Sequence, residues 1–315
     1  MARVYPIGCI SLGQKGQKLA EFGEMVGAGA VAVSDDGHPV VSSQLMRTAL
    51  EYAQVFGIPV ADHCEDPTLS AGGAMHEGVV STRLGLKGIP AAAEEIMVAR
   101  DILLSELTGG HVHLCHMSTR GSVELIRRAK EKGLKVTAEA TPHHFTLTHE
   151  RVGAYDTNAK MNPPLREELD REAIREALAD GTIDVIATDH APHHYDAKQR
   201  EFDQAPNGIT GLETALGLGI RELVDTGRMS LMRFLSLLST LPARIFRLPG
   251  GTLAVGAPAD LMVFDPARKW VVSAEEFRSK SANSPFLGET LVGQADLTVV
   301  GGRVVFDRSV DKPDV

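Results

Sequence analysis

Four short strings in this chain carry residues that can bind a metal ion or move a proton. They read Val33-Ser34-Asp35-Asp36-Gly37, Ala61-Asp62-His63-Cys64-Glu65-Asp66, Leu114-Cys115-His116-Met117-Ser118 and Ala187-Thr188-Asp189-His190-Ala191-Pro192-His193. Each closes a short run of β-type residues. One strand-end His or Asp by itself is ordinarily a cap or a turn residue. Two neutral imidazoles and two carboxylates brought to one rim are different: they form a hard-to-borderline donor set suited to Zn²⁺. Metal-assisted hydrolysis is the chemistry such a set supports.

The elements that must position these strings follow from the hydrophobic pattern. β-type runs at 4–11, 30–34, 59–63, 111–116, 135–140 and 184–188 alternate with amphipathic stretches at 43–56, 92–107, 120–132, 166–178 and 211–225. That alternation predicts an α/β fold, a parallel sheet with crossover helices closed in the manner of a TIM-type (β/α) barrel. In such a barrel the chemistry sits at the C-terminal ends of the strands. Six strand candidates are present where a full barrel has eight. After Pro249 the texture changes to short β runs at 259–264, 269–272 and 297–306, separated by Gly and Pro. The expected division is a barrel domain over 1–249 and part of a small β-sandwich domain over 250–315.

Strand parity selects among the histidines of the fourth run. Side chains alternate faces, so Val112, Leu114 and His116 share one face, and a barrel interior filled by branched apolar residues makes that face the inward one. His111 and His113 are then expected to point at the helices. The same parity separates Cys115 from His116 and Cys64 from His63, so neither pair reads as a nucleophile beside its base. His143 and His144 read as supporting or structural. His38 and His76 read as loop residues, solvated or bonded locally.

Composition excludes several classes. The 315 residues hold 32 Lys+Arg against 41 Asp+Glu, a net charge of −9 with His neutral. A surface that negative repels phosphate backbones, so nucleic-acid binding is disfavoured. No apolar run approaches the ~20 residues of a membrane span, and the first residues lack the features of a signal peptide. Three scattered cysteines (Cys9, Cys64, Cys115) suit a reducing cytoplasm rather than a disulfide framework.

The strings, in this order, closely resemble the type I dihydroorotases of the amidohydrolase superfamily. The resemblance is carried by SDDGHPV at 34–40, ADHCEDPTLSAGGAMHEG at 61–78, GLKGIPAAAE at 85–94 and HVHLCHMST at 111–119. It continues through VTAEATPHHFTLT at 136–148, KMNPPLR at 160–166, DGTIDVIATDHAPH at 180–193 and GAPADLMVFD at 256–265. It implies that Asp36 coordinates or bridges metal and that His63 and His116 are metal ligands. Asp189 becomes both a ligand and the catalytic acid/base. Asn162 and His193 become substrate contacts, and Asn207-Gly208 a backbone segment that meets the pyrimidine ring. Hydantoinases, allantoinases and another dihydroorotase branch place a carboxylated lysine where this chain has Asp36, which favours the type I branch.

The implied cofactor is Zn²⁺, one or two ions. The implied reaction is the reversible cyclisation of N-carbamoyl-L-aspartate to L-dihydroorotate in pyrimidine synthesis. The implied partners are that small-molecule pair and either a second copy of the chain or aspartate transcarbamoylase. The superfamily opens its barrel with a His-x-His strand, followed in dihydroorotases by an arginine, and no such segment precedes Val4. The expectation is a barrel lacking its first two strands, roughly 60 residues at ~250 per eight units. Alternatives are a related cyclic amidohydrolase (allantoinase or hydantoinase) and a non-catalytic scaffold.

Overall fold

The computed structural model describes residues 2–310. Its strands are β1 (Ile7–Gly8), β2 (Ala32–Val33), β3 (Val60–Asp62), β4 (Met75–His76), β5 (Gly88–Ile89), β6 (Val112–Leu114), β7 (Val136–Ala140), β8 (Val185–Ile186), β9 (Leu261–Val271), β10 (Thr290–Val300) and β11 (Arg303–Asp307). Six of them form a parallel sheet in the order β1-β2-β3-β6-β7-β8. The register runs Ile7 opposite Ala32, Val33 opposite Val60, Val60 opposite Val112, Val112 opposite Val136 and Glu139 opposite Val185. Among the described residues, β1 pairs with β2 and β8 with β7, and neither has a partner on its other side.

The crossover helices form for local reasons. Ser42 caps the helix Ser43–Phe56 by accepting from the Leu45 amide, and Gly57 ends it at φ 66°. Met46, Ala49, Leu50 and Ala53, at spacings of three and four, bury one stripe. Thr119 caps Arg120–Glu131 in the same way, with Val123, Ile126 and Ala129 turned inward. These stripes pack on Val33, Val60, Val112 and Leu114, all fully buried in one apolar cluster. Each such side chain contributes about 1.5–3 kcal/mol by burial.

Parity in β6 runs opposite to the sequence expectation. Val112 and Leu114 lie in the core shared with the helices. His113 faces inside the sheet, in a cavity of about 340 Å³ lined also by Ile7, Ala61, Cys115, Glu139 and Phe246. The helices claim the branched residues of this strand. The imidazole is tolerated inside because His113 Nδ1 meets Thr137 Oγ1 at 2.9 Å and Nε2 meets Glu139 Oε2 at 3.0 Å. Regular alternation ends at Leu114, and His116 takes φ 41°. Cys115 and His116 therefore line one cavity together.

The expected runs 259–264 and 269–272 fall mostly within one long strand, β9. The expected run 297–306 is instead the end of β10 and the start of β11, turned at Gly301-Gly302 with φ 57° and 76°. β9, β10 and β11 form an antiparallel sheet in the order β11-β10-β9. Between β9 and β10 the chain returns to the parallel sheet. There Asn283 Nδ2 donates to the carbonyls of Ala191 and Gly208, each at 3.1 Å, and Asn283 Oδ1 accepts from the His193 amide. Ser279 Oγ meets His190 Nε2 at 2.9 Å. The C-terminal segment thus braces the loops that follow β8.

Candidate metal centre and its cavity

Asp36, His63 and His116 converge at the ends of β2, β3 and β6. His63 Nδ1 lies 3.0 Å from His116 Nε2, and both face Asp36 Oδ1, at 3.4 and 3.2 Å. Both imidazoles are buried and the carboxylate is half exposed. Three donor atoms bonded at ~2.0–2.2 Å to one tetrahedral ion stand about 3.3–3.6 Å apart, against 3.0, 3.2 and 3.4 Å here. The triangle is slightly tighter than that spacing, and a separation of a few tenths of an ångström would admit an ion.

The electrostatics are those of a site that wants a cation. Burial alone would raise Asp36, but the bonds from His116 and His63 outweigh it and hold the carboxyl far below its ordinary value. Burial would lower His63, yet Asp36 and Glu65 accept from its two nitrogens and push it up to about 10. His116 is raised as well, its bond to Asp36 overcoming burial.

Asp189 takes φ 47° at the end of β8. It lines, with Asp36, Gly37, His63, His116, Asn162, Ala191, Asn207 and Gly208, a cavity of about 210 Å³. Burial raises its carboxyl; His116 pulls it back, and the carboxylates of Asp36 and Glu139 add to the rise. Of the sequence-derived residues, all but His193 line this cavity. His193 stands behind the rim, its Nε2 2.7 Å from the Asn207 carbonyl oxygen. Gly208 sits at φ 114°, where an added Cβ would come within 2.5 Å of Ala191 Cβ.

Several residues of this region had no role in the sequence reading. Glu65 Oε2 accepts from His63 Nε2 and from Asn162 Nδ2, both at 2.8 Å. Glu139 Oε1 accepts from the His116 amide. Glu94, fully buried, accepts from the amides and hydroxyls of Ser118 and Thr119. Arg166, also buried, donates to Ser118 Oγ and to the Ile89 carbonyl, and lies 3.8 Å from Glu94. Glu65 lies inside the string around His63; its spacing of two residues was the available signal. Glu94 and Arg166 lie in other strings, and nothing local points to them.

The remaining histidines divide. His144 bridges Thr141 Oγ1 and the Pro163 carbonyl, at 2.9 Å each, and so supports the segment that carries Asn162. His143 is buried beside it. His76 is not a solvated loop residue. It is buried in β4 with its ring against His149 and its Nδ1 3.2 Å from the Arg166 guanidinium. Asp35 and Asp62 do turn away from the cavity, Asp35 to the amides of Ile10 and Ser11, and Asp62 to Arg100.

Comparison with known proteins identifies the chain's relatives. A family model described as "Amidohydrolase family" matches residues 97–306, and one described as "Dihydro-orotase-like" matches residues 1–122. Among solved structures, an L-hydantoinase (dihydropyrimidinase) from Arthrobacter aurescens superposes with a TM-score of 0.82 at 28% identity, over 91% of this chain and 67% of its own. A D-hydantoinase (dihydropyrimidinase) from Thermus sp. gives 0.76 at 28% identity, over 87% and 62%. The chain belongs to the amidohydrolase family.

Within it, relatives at 53–57% identity are dihydroorotases, and this chain is one of that group. The dihydroorotase of Citrifermentans bemidjiense is 57% identical over 97% of this chain and 72% of its own length. That of Pelotomaculum thermopropionicum is 57% identical over 98% and 72%. The chain thus spans about three quarters of the length of these curated relatives and about two thirds of the hydantoinases.

Proposed function

We propose that this chain carries most of the active site of a zinc-dependent dihydroorotase, interconverting N-carbamoyl-L-aspartate and L-dihydroorotate. The observation that carries the reading is the Asp36–His63–His116 triangle opening onto the cavity that Asp189 and Asn162 share. Asp36, His63 and His116 would hold Zn²⁺, with Asp189 beside them as a further ligand. A zinc ion held there supplies a Lewis acid and a water acidic enough to ionise near neutral pH. Asp189, its carboxyl raised by burial, is suited to move a proton. In the hydrolytic direction it takes the proton of the attacking water as the C–O bond forms. It then delivers that proton to the ring nitrogen as the C–N bond breaks. Asn162, His193 and the Asn207-Gly208 backbone would orient the ring.

The two edges of the parallel sheet, at β1 and β8, fit a barrel that two further strands would complete. The sheet of β9, β10 and β11 fits one layer of a small β domain over 250–315 beside a barrel domain over 1–249. The likeness to hydantoinases supports cyclic-amide hydrolysis as the broader class, and the dihydroorotase relatives support the narrower one.

The test uses proton linkage. N-Carbamoyl-aspartate carries two carboxylates and dihydroorotate one, so ring closure consumes one proton. The equilibrium ratio of dihydroorotate to N-carbamoyl-aspartate should fall about tenfold per pH unit as pH rises. Measuring both species after equilibration at pH 6, 7 and 8 checks this. A ratio independent of pH, or no interconversion alongside turnover of allantoin or hydantoin, would reject the assignment.

A further inference from the structure

Glu65 Oε2 receives two hydrogen bonds, from His63 Nε2 and from Asn162 Nδ2, both at 2.8 Å. The carboxylate is itself mostly shielded, with its side chain 16% exposed. It is held in place by its neighbours. Asp66 caps the helix Pro67–Ser70 and fixes the backbone that follows. We propose that Glu65 is a positioning residue that sets both the metal-binding tautomer of His63 and the orientation of the Asn162 amide.

The argument is one of donors and acceptors. An ionised carboxylate only accepts, so a neutral His63 paired with Glu65 carries its proton on Nε2. That leaves the Nδ1 lone pair free, and Nδ1 is the atom that stands in the triangle with Asp36 Oδ1 and His116 Nε2. Carboxylates in this relation to a metal-bound imidazole fix ring orientation and raise its basicity. The same oxygen can take only the NH₂ end of Asn162. With that end committed to Glu65, Asn162 Oδ1 is the atom left for a ligand in the cavity that Asn162 lines. An acceptor there suits a substrate that presents an N–H, as a cyclic amide or ureide does. One carboxylate thus ties the metal side of the cavity to its substrate side.

This inference rests on the metal-centre reading, and its experiment separates the two. Zinc affinity is measured by competition with a chromophoric chelator for the parent chain and for Glu65→Ala, Glu65→Gln and His63→Ala. Loss of Glu65 should weaken zinc binding about 10- to 100-fold and raise KM through the freed Asn162. Glu65→Gln, which keeps an acceptor oxygen, should recover most of both. ¹⁵N spectra of His63 in the zinc-loaded parent should show the Nε2–H tautomer, a readout that needs no variant to fold. Unchanged zinc affinity in both Glu65 variants, or an Nδ1–H tautomer in the parent, would overturn the role of Glu65 alone. Undiminished zinc binding in His63→Ala would instead overturn the metal centre, and this proposal with it.

Discussion

Two residues of the cavity, His116 and Asp189, hold positive φ angles, 41° and 47°. Non-glycine residues seldom adopt that region, and when they do the surroundings impose it. At His116 the imposing groups are visible: Glu139 accepts from its amide, and Asp36 and His63 meet its ring. The turn carries each side chain off the regular pleat and over the end of the sheet. This is why residue types found the site while parity misplaced its neighbours. His63, His116, Asp36 and Asp189 were legible as strand-end donors. The inward face of β6 was not, because which face the helices claim is decided by packing that a single strand does not display. For Asp189 the prediction is kinetic. Asn at this position can hydrogen-bond but cannot carry a proton, so Asp189→Asn should lower kcat about 10²- to 10⁴-fold. Steady-state kinetics with metal content measured alongside would check it. Equal losses in kcat and in substrate affinity would make Asp189 a residue that binds rather than one that transfers protons.

Elements place these residues through buried polar ties that no periodicity reveals. The loop after β6 reaches from His116 to Thr119, and Glu94 gathers its amides and hydroxyls from the start of the next helix in space, Ala92–Thr108. Arg166 bonds the same Ser118 hydroxyl and comes from the segment that carries Asn162. Glu94 is held below its ordinary value, Arg166 and the hydroxyl donors overcoming the rise that burial would cause. The sequence showed alternating strands and helices well, since apolar stripes at spacings of three and four are local. It misjudged strand lengths, expecting a run over 4–11 where β1 keeps two residues, because strand ends are set by partners elsewhere in the chain. It also missed that the segment between β9 and β10 braces His190 and His193. Glu94→Ala should destabilise the fold by about 3 kcal/mol or more, since it strands a buried guanidinium. It should also lower metal retention, because His116 rides on the loop that Glu94 anchors. Urea unfolding and metal analysis on one preparation test both. Stability within about 0.5 kcal/mol of the parent would show that Asp170, the next carboxylate acting on the Arg166 charge, compensates it unaided.

At the scale of the whole molecule, the histidines outside the metal triangle set how the fold responds to acid. His76 and His111 are each lowered to about 4, by burial first and then by the charges of Arg166 and of His113 respectively. Burial likewise lowers His144 to about 4 and takes His143 well below its ordinary value. The unfolded chain takes up protons on these four rings near pH 6.5, while the folded chain resists until about pH 4 or below. Through that interval the unfolded state binds more protons, so unfolding becomes easier as pH falls. Their stabilisation is complete above pH 6.5 and is lost progressively toward pH 4. Two buried carboxyls oppose this. Burial raises Asp62 and Asp189, so the folded state holds protons there that the unfolded state releases. The four rings outnumber the two carboxyls, so the expected balance on acidification is a loss of stability. Below about pH 4.5 the depressed carboxyls of Glu65 and Glu94 add to it, since they must be protonated against bonds that favour their charge. The urea midpoint of the chain in the presence of a chelator should therefore fall between pH 6.5 and pH 4.5, and more steeply below. The chelator matters, because bound metal would add its own pH dependence through His63 and His116. A midpoint that stays level or rises across that interval would mean that the buried rings are already charged in the folded state. Replacing His111 by Asn should shallow the decline, since it removes one of the four rings without touching the cavity that Asp189 lines.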